Sequence, residues 1–373
     1  MGVHKSKLLL LIQSFNMGGA EHLSLIISDY LARNTSIEPI VCALESCGHL
    51  REKLIKAEIR TFDVGKRAGI DIGASLRLRS FIKKENISMM HVHNLGPLLY
   101  GFLATRFMAK RPHFLYTEHV RLEQEVFRTS LLFVHRLIAR KVDLFVSIAQ
   151  HISEYASKRM GLPGGKIVTI PNGIDVEKYS TNEVAADLIS LKASGKLLIG
   201  CIAALRPQKD HETLIRSMSI VSGSIPNALL VLVGDGPCRQ QLEALVQELG
   251  LAQNIYFAGY SPNIPAMLKA FDVVALSSLY EGLSLAALEA MAAGKAVVLS
   301  DVFGNSELIK DEPVGLLVAP RSPEAMASAL TFLLQNEPLR KRMGAAARQL
   351  VAERYDMKTM LKSYAKLYKK LAV

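Results

Sequence analysis

Two carboxylates stand eight residues apart in the stretch SSLYEGLSLAALEAMAAG, residues 277–294. Glu281 lies in a small, flexible run and Glu289 is the only charge in the apolar run 285–293. That run consists of strong helix formers (Leu, Ala, Glu, Met), and Gly294 stops it. The segment just before, DVVAL at 272–276, reads as a buried parallel strand. A strand, a loop with a glycine (Gly282) and a helix together aim free backbone N–H groups and a helix dipole at an anion, most often a phosphate. A carboxylate on so apolar a helix needs a partner. A sugar hydroxyl pair, such as a ribose diol, would supply one for Glu289.

Other residues that could do chemistry also fall where strands end. In ALRPQKD, residues 204–210, Arg206 and Lys209 suit a diphosphate, Arg through a fork and Lys as a point charge. Gly18 and Gly19, in GGAE between the first strand and the first helix, fit a tight turn where backbone approaches a ligand. The pattern is not G-x-G-x-x-G, so the dinucleotide fingerprint is absent. Gly234, in GDGP, marks a strand-to-helix turn, and Tyr260 follows the strand IYFA. His119 closes HFLYTEH, where a strand's carboxyl end meets substrate. His91 and His93, in HVHN, point both rings to one face of a strand. No third metal ligand accompanies them, so they read as structural or acceptor-side.

The elements that must position these groups alternate strand with helix along the whole chain, which argues for parallel α/β layers. Strands are expected at 8–13, 39–44, 59–63, 89–93, 114–118, 144–148 and 167–170, then at 197–203, 228–233, 255–258, 273–276, 296–299 and 315–318. Helices in the first half are expected at 20–33, 72–84, 96–109 and 126–140. Two such series imply two doubly wound sheets, with ligands at the carboxyl ends of their strands. Pro171-Asn172-Gly173 marks the boundary. The expected domains are 1–175 and 176–355, with a basic amphipathic helix at 356–373 returning to the first.

The Glu281-x7-Glu289 unit with its downstream helix stop resembles the signature of retaining glycosyltransferases of family 4, which have the GT-B fold: two Rossmann-like doubly wound domains facing across a cleft. The resemblance extends from the GGAE turn to the terminal helix. It implies an N-terminal domain that takes a glycan or lipid-linked acceptor and a C-terminal domain that takes a nucleotide-sugar donor, with UDP foremost. It further implies that Gly18, Gly19 and the backbone N–H groups of Leu283, Ser284 and Leu285 face the donor phosphates. Glu281 would contact the sugar hydroxyls and Glu289 the ribose, while His119, in its T-x-H context, sits near the transferred sugar. The backbone at Tyr260 would hold the base. Lys209 carries over directly. The family places an Arg five residues before that Lys, where this chain has Ala204, so Arg206 serves only if its side chain swings into the same space. Metal independence follows from the resemblance and agrees with the lack of an Asp-x-Asp motif. A nucleotide-sugar 2-epimerase of the same architecture and a non-catalytic nucleotide-sugar-binding subunit remain as alternatives.

Composition narrows the partners. The 373 residues suffice for two ordinary domains and half of them are apolar. The net charge is +11, of which residues 1–178 carry +9, residues 179–354 carry −2 and the last nineteen carry +4. A basic first half suggests a polyanionic partner or an anionic membrane surface rather than nucleic acid. The stretch 126–141 reads as a basic amphipathic helix that could touch a membrane. The apolar core at 8–12 is too short for a leader and reads as a buried strand. No run reaches the ~18 apolar residues of a membrane span, so a cytoplasmic protein, peripheral at most, is expected. The four cysteines (Cys42, Cys47, Cys201, Cys238) show no metal-ligand spacing and fit buried thiols in a reducing compartment.

Overall fold

A computed structural model describes residues 6–16, 18–120, 129–310 and 312–372. The chain forms two compact units, Met1–Pro171 with Thr359–Val373, and Asn172–Lys358. Each is built on one parallel sheet.

The first sheet contains β1 (Lys7–Ser14), β2 (Glu38–Glu45), β3 (Arg60–Asp63), β4 (Met89–His93), β5 (His113–Glu118), β6 (Leu144–Ser147) and β7 (Ile167–Thr169), in the order β3-β2-β1-β4-β5-β6-β7. β1 is an interior strand: Leu9 pairs with Ile40 of β2 on one side and Met90 of β4 on the other. A strand flanked on both edges and covered on both faces must be apolar throughout. Leu8 to Ile12 are accordingly all buried. The chain winds one way from β1 to β3 and the other from β4 to β7, so the winding reverses between β1 and β4.

The second sheet repeats the plan with six strands: β8 (Leu197–Ile202), β9 (Ala228–Val233), β10 (Ile255–Gly259), β11 (Val273–Leu276), β12 (Val297–Ser300) and β13 (Gly315–Val318), in the order β10-β9-β8-β11-β12-β13. Its reversal lies between β8 and β11. In such sheets the crevice for ligands opens at the carboxyl ends of the strands where the winding reverses. The fold therefore nominates two loops in this unit, the one after β8 and the one after β11.

All thirteen expected strands are present, with ends displaced by no more than one residue. The helices differ more. The one expected at 96–109 is Leu95–Thr105, and it closes where the Thr105 hydroxyl bonds back to the Gly101 carbonyl. The one expected at 126–140 is Thr129–Ala139, and its expected start at Val126 lies outside the described residues. The last helix, Met357–Leu371, buries Met360, Leu361, Tyr364, Ala365 and Tyr368. This i, i+4, i+8 spacing makes one apolar stripe, and Tyr368 donates or accepts a 2.7 Å hydrogen bond with Nδ1 of His91 on β4. Among the described residues no helix is long and apolar enough to cross a membrane.

Candidate active site

The two loops at the reversal of the second sheet are stitched together. After β8 the chain makes a short turn, Pro207–Lys209, and Asp210 then adopts a left-handed conformation (φ 46°) that starts the next helix. After β11 it runs through Ser277 to Ser284. The Leu279 amide donates to the Gln208 carbonyl at 2.8 Å. The Gln208 side-chain amide donates to the Tyr280 carbonyl at 2.9 Å. The Ser277 hydroxyl donates to the carbonyls of Lys209 at 3.0 Å and Asp210 at 2.7 Å. These bonds fix both backbones before any ligand arrives.

On that frame the Lys209 Nζ lies 2.6 Å from Oε1 of Glu281, and the Ser278 hydroxyl donates to the same oxygen at 2.6 Å. The carboxylate is nearly covered and the ammonium partly so, at 8% and 22% side-chain exposure. An ammonium has three donors, so Lys209 can hold Glu281 and still offer two N–H bonds elsewhere. Below Glu281, Gly304 packs so closely that a Cβ there would lie 2.2 Å from the Gly282 carbonyl oxygen. The helix Leu285–Ala292 opens from Ser284, whose hydroxyl accepts from the Ala287 amide at 3.4 Å. The amides of Leu283, Ser284 and Leu285 find no acceptor among the described residues. An open helix N-terminus beside an ammonium is an anion site by construction.

Glu289 has a partner that the sequence did not disclose. The Tyr179 hydroxyl donates to its Oε1 at 2.9 Å. Burial raises the Glu289 carboxyl above its usual range, against the opposing pull of Tyr179 and Lys178. The need for a partner is thus met in part within the chain: one oxygen is already held, and that bond orients the group. Arg206 is expected to serve only if its side chain swings into the space that Ala204 leaves. It is exposed and lines a separate recess of about 170 Å³ with Asp210, His211, Glu212 and Cys238. No contact between Arg206 and Lys209 or Glu281 side chains is made, because the chain turns at Pro207 and sends the two cations apart.

Gly234 is explained by packing. Its φ is +138°, and a Cβ would sit 2.1 Å from the Ala203 carbonyl oxygen, so the turn after β9 presses directly on the loop after β8. Its amide donates to the Gly259 carbonyl at 2.8 Å. Tyr260 follows with its side chain 77% exposed.

In the first unit, Gly18 stands at the N-cap of the helix Gly19–Asn34, just after β1. A Cβ on Gly18 would meet the Glu21 carboxylate at 2.4 Å, and burial raises that carboxyl. His119 lies just past β5, its Nε2 3.0 Å from Nδ1 of His93. Burial keeps its imidazole neutral down to about pH 4. His91 is fully buried between Tyr368 and Thr117. The structure thus gathers His91, His93 and His119 in one unit, and Lys209, Glu281, Gly282, Leu283, Ser284, Leu285 and Glu289 in the other. Sequence reasoning missed Gln208, Ser277, Ser278, Tyr179 and Gly304. Among the described residues, no group of three or more His, Cys, Asp or Glu is placed to hold a metal ion.

Comparison with known proteins gives this geometry a family. Residues 17–178 match the family model Glycosyltransferase Family 4, and residues 187–350 match Glycosyl transferases group 1. The chain belongs to the glycosyltransferases of the GT-B, family 4 type. It is 27% identical over 280 residues to the UDP-Gal:alpha-D-GlcNAc-diphosphoundecaprenol alpha-1,3-galactosyltransferase of Escherichia coli, a match spanning 72% of each chain. It is 28% identical over 245 residues to the GDP-mannose-dependent alpha-(1-6)-phosphatidylinositol monomannoside mannosyltransferase of Mycobacterium tuberculosis, spanning 62% of this chain and 64% of that one. Its fold is similar to that of Anabaena HepE crystallised with UDP-glucose, with TM-score 0.84 and 24% identity over 98% of this chain and 99% of the other.

The packing at Gly234 yields a test of the frame. Gly234→Ala forces both a strained φ and a backbone clash, and is expected to cost about 1–3 kcal/mol. Urea denaturation would show this as a lower midpoint, and an unchanged midpoint would mean the two turns are not in contact.

Proposed function

We propose that this enzyme transfers a sugar from a nucleoside diphosphate sugar, with UDP as the nucleotide, to a glycan or lipid-linked acceptor of the cell surface, with retention of anomeric configuration and without a metal ion. The observation that carries this reading is the Lys209–Glu281 pair set beside an open helix N-terminus where the second sheet reverses. The relatives named above support a nucleoside diphosphate sugar and a lipid-linked acceptor through their names, and UDP is the nucleotide named for the Escherichia coli relative and for Anabaena HepE.

As the bond between sugar and phosphate breaks, negative charge grows on the diphosphate and positive charge on the ring. The free N–H groups of Lys209 and the amides of Leu283, Ser284 and Leu285 take up the negative charge. Glu281, oriented by Lys209 and Ser278, accepts from the sugar hydroxyls. Glu289, oriented by Tyr179, accepts from the ribose diol through its remaining lone pairs. The acceptor hydroxyl attacks the anomeric carbon on the face the diphosphate leaves, and the departing phosphate oxygen takes its proton. Arg206 has no part in this scheme in the conformation observed.

A panel of UDP-, GDP- and ADP-sugars, run in EDTA, tests the proposal. Thermal stabilisation and slow hydrolysis are expected with a UDP-sugar, and Lys209→Ala should slow transfer ~100-fold, the scale of one lost transition-state donor. Turnover undiminished in Lys209→Ala would place the diphosphate elsewhere. An epimerised sugar after incubation without acceptor, seen by NMR, would favour the 2-epimerase reading instead.

The raised Glu289 carboxyl gives a pH dependence with a defined sign. A carboxyl whose pKa lies above 4.5 takes up its proton earlier as the solution is acidified, and a protonated Glu289 loses acceptor capacity toward the diol. Affinity for a UDP-sugar, whose diester does not titrate in this range, should fall as pH drops from 7 toward 4.5. Glu289→Gln should bind weakly and without that slope, and a wild-type slope retained in Glu289→Gln would assign the proton to another group.

The acceptor side suggests a membrane surface. Phe133, Val134 and Leu137 are exposed on the helix Thr129–Ala139, as are Leu103 and Phe107 nearby. An apolar groove of about 830 Å³ runs among Leu99, Phe102, Leu103, Val134, Leu137 and Ile138, rimmed by Arg106, Arg111 and Lys141. Exposed apolar surface edged by cations suits anionic lipid. Flotation with phosphatidylglycerol vesicles should recover the protein at low salt and lose it at high salt. Equal recovery with neutral vesicles, or none with anionic ones, would remove the membrane from the scheme.

A further inference from the structure

The contact between His93 and His119 does more than hold the two rings together. His93 is fully buried at the last position of β4, across from Thr117 of β5. Its Nδ1 lies 3.0 Å from Nε2 of His119, and its ring packs on His91 at a centroid distance of 4.5 Å. Its other nitrogen, Nε2, is buried without any hydrogen-bond partner. Burial and the neighbouring imidazoles disfavour the charged form of His93, as burial does for His119. Two neutral imidazoles in this contact have one proton between the facing nitrogens, and that proton has two homes.

If Nε2 of His119 carries it, Nδ1 of His93 must accept. The proton of His93 then sits on its own Nε2, as a buried N–H with no acceptor. If instead Nδ1 of His93 carries it, the buried Nε2 is a bare lone pair. Orphaned buried N–H groups are the rarer of the two cases, and leaving a buried polar group unsatisfied costs about 1–3 kcal/mol. The second arrangement leaves His119 with its proton on Nδ1, the nitrogen for which no protein partner exists among the described residues. His91 cannot change this, since both its nitrogens are occupied, by Tyr368 and Thr117.

We infer that His93 is a positioning residue: its Nδ1–H donates to Nε2 of His119 and fixes that ring in the tautomer whose Nδ1–H is free to donate. Given the transferase reading above, on which its catalytic relevance rests, the recipient is a hydroxyl oxygen of a sugar substrate. A ring of fixed tautomer needs no rearrangement when the sugar oxygen arrives. It also presents a donor where a freely titrating histidine would present either a donor or a lone pair.

The test begins with the unmodified protein. Long-range 1H–15N correlation on full-length enzyme carrying 15N-histidine, with His119 assigned by loss of its signals in His119→Gln, should show His119 protonated on Nδ1 and bare on Nε2 at neutral pH. The opposite tautomer would overturn the inference without any variant having to fold. His93→Phe, which keeps a ring but not the donor, should free His119 to adopt the Nε2–H form and lower kcat about tenfold, the scale of losing a group that orients a functional histidine. KM for the nucleotide sugar should change little. His93→Asn, whose side-chain amide stands where Nδ1–H does, should restore both the tautomer and most of kcat. A tautomer in His93→Phe that matches the wild type would overturn the assignment. A tautomer that shifts while turnover stays constant would overturn the positioning role, yet leave the transferase reading to be decided by the donor panel and Lys209→Ala.

Discussion

The site in the second unit depends on an ion pair that costs energy to keep. Lys209 and Glu281 meet at 2.6 Å with most of both side chains out of water. Desolvating two such charges carries a penalty of several kcal/mol per ion, and attraction between them repays it only with good geometry and further hydrogen bonds. The Ser278 hydroxyl is one such bond, and the frame of backbone bonds between the two loops supplies the geometry. A buried pair of this kind adds little to stability compared with an apolar substitute. It does leave an ammonium with two unused donors beside the amides of a helix N-terminus. The pair is best understood as a binding device whose desolvation is met in advance by the fold.

The fold meets it through close approach of backbone to backbone. At the reversal of winding the neighbouring strands β8 and β11 continue into loops that no helix separates, so those loops can bond to each other directly. Gln208 and Ser277 do so, and Gly234 and Gly304 bring two further turns, after β9 and after β12, against the same loops. Each glycine stands where a Cβ would strike a carbonyl oxygen. Four strand ends are thereby locked around one short helix, and the direction of that helix is fixed by strands rather than by its own eight residues. A helix so short would not hold its orientation in isolation.

This division explains what could be read from the sequence. Fully buried parallel strands are continuous apolar runs bounded by turn residues, so LLLLI, VVAL and ALLVLV announced themselves, as did the division into two parallel sheets. Lys209, Glu281 and Glu289 also stood out, because a charge beside an apolar run demands a reason, and each has a side-chain partner in the fold. Tyr179 was not. It lies in a polar stretch after the domain boundary, 110 positions from Glu289, and nothing in NGIDVEKY distinguishes its hydroxyl from one facing water. Gln208 and Ser277 act on carbonyls, which have no sequence identity. The direction of Arg206 was hidden for a related reason: spacing to Lys209 counts residues, whereas Pro207 and the left-handed Asp210 decide direction.

The two units divide the electrostatic work. The carboxyl ends of the second sheet present an ammonium, two carboxylates and open amides, groups suited to an anion and its sugar hydroxyls. The carboxyl ends of the first sheet present a helix N-terminus after Gly18 and a cluster of imidazoles that burial holds neutral. The burial of His91 and His93 beneath the stripe of the last helix, with Tyr368 closing one nitrogen, is what keeps that side uncharged. The helix that returns from the end of the chain packs Tyr364 and Tyr368 against His91 and so keeps water from that side of the cluster.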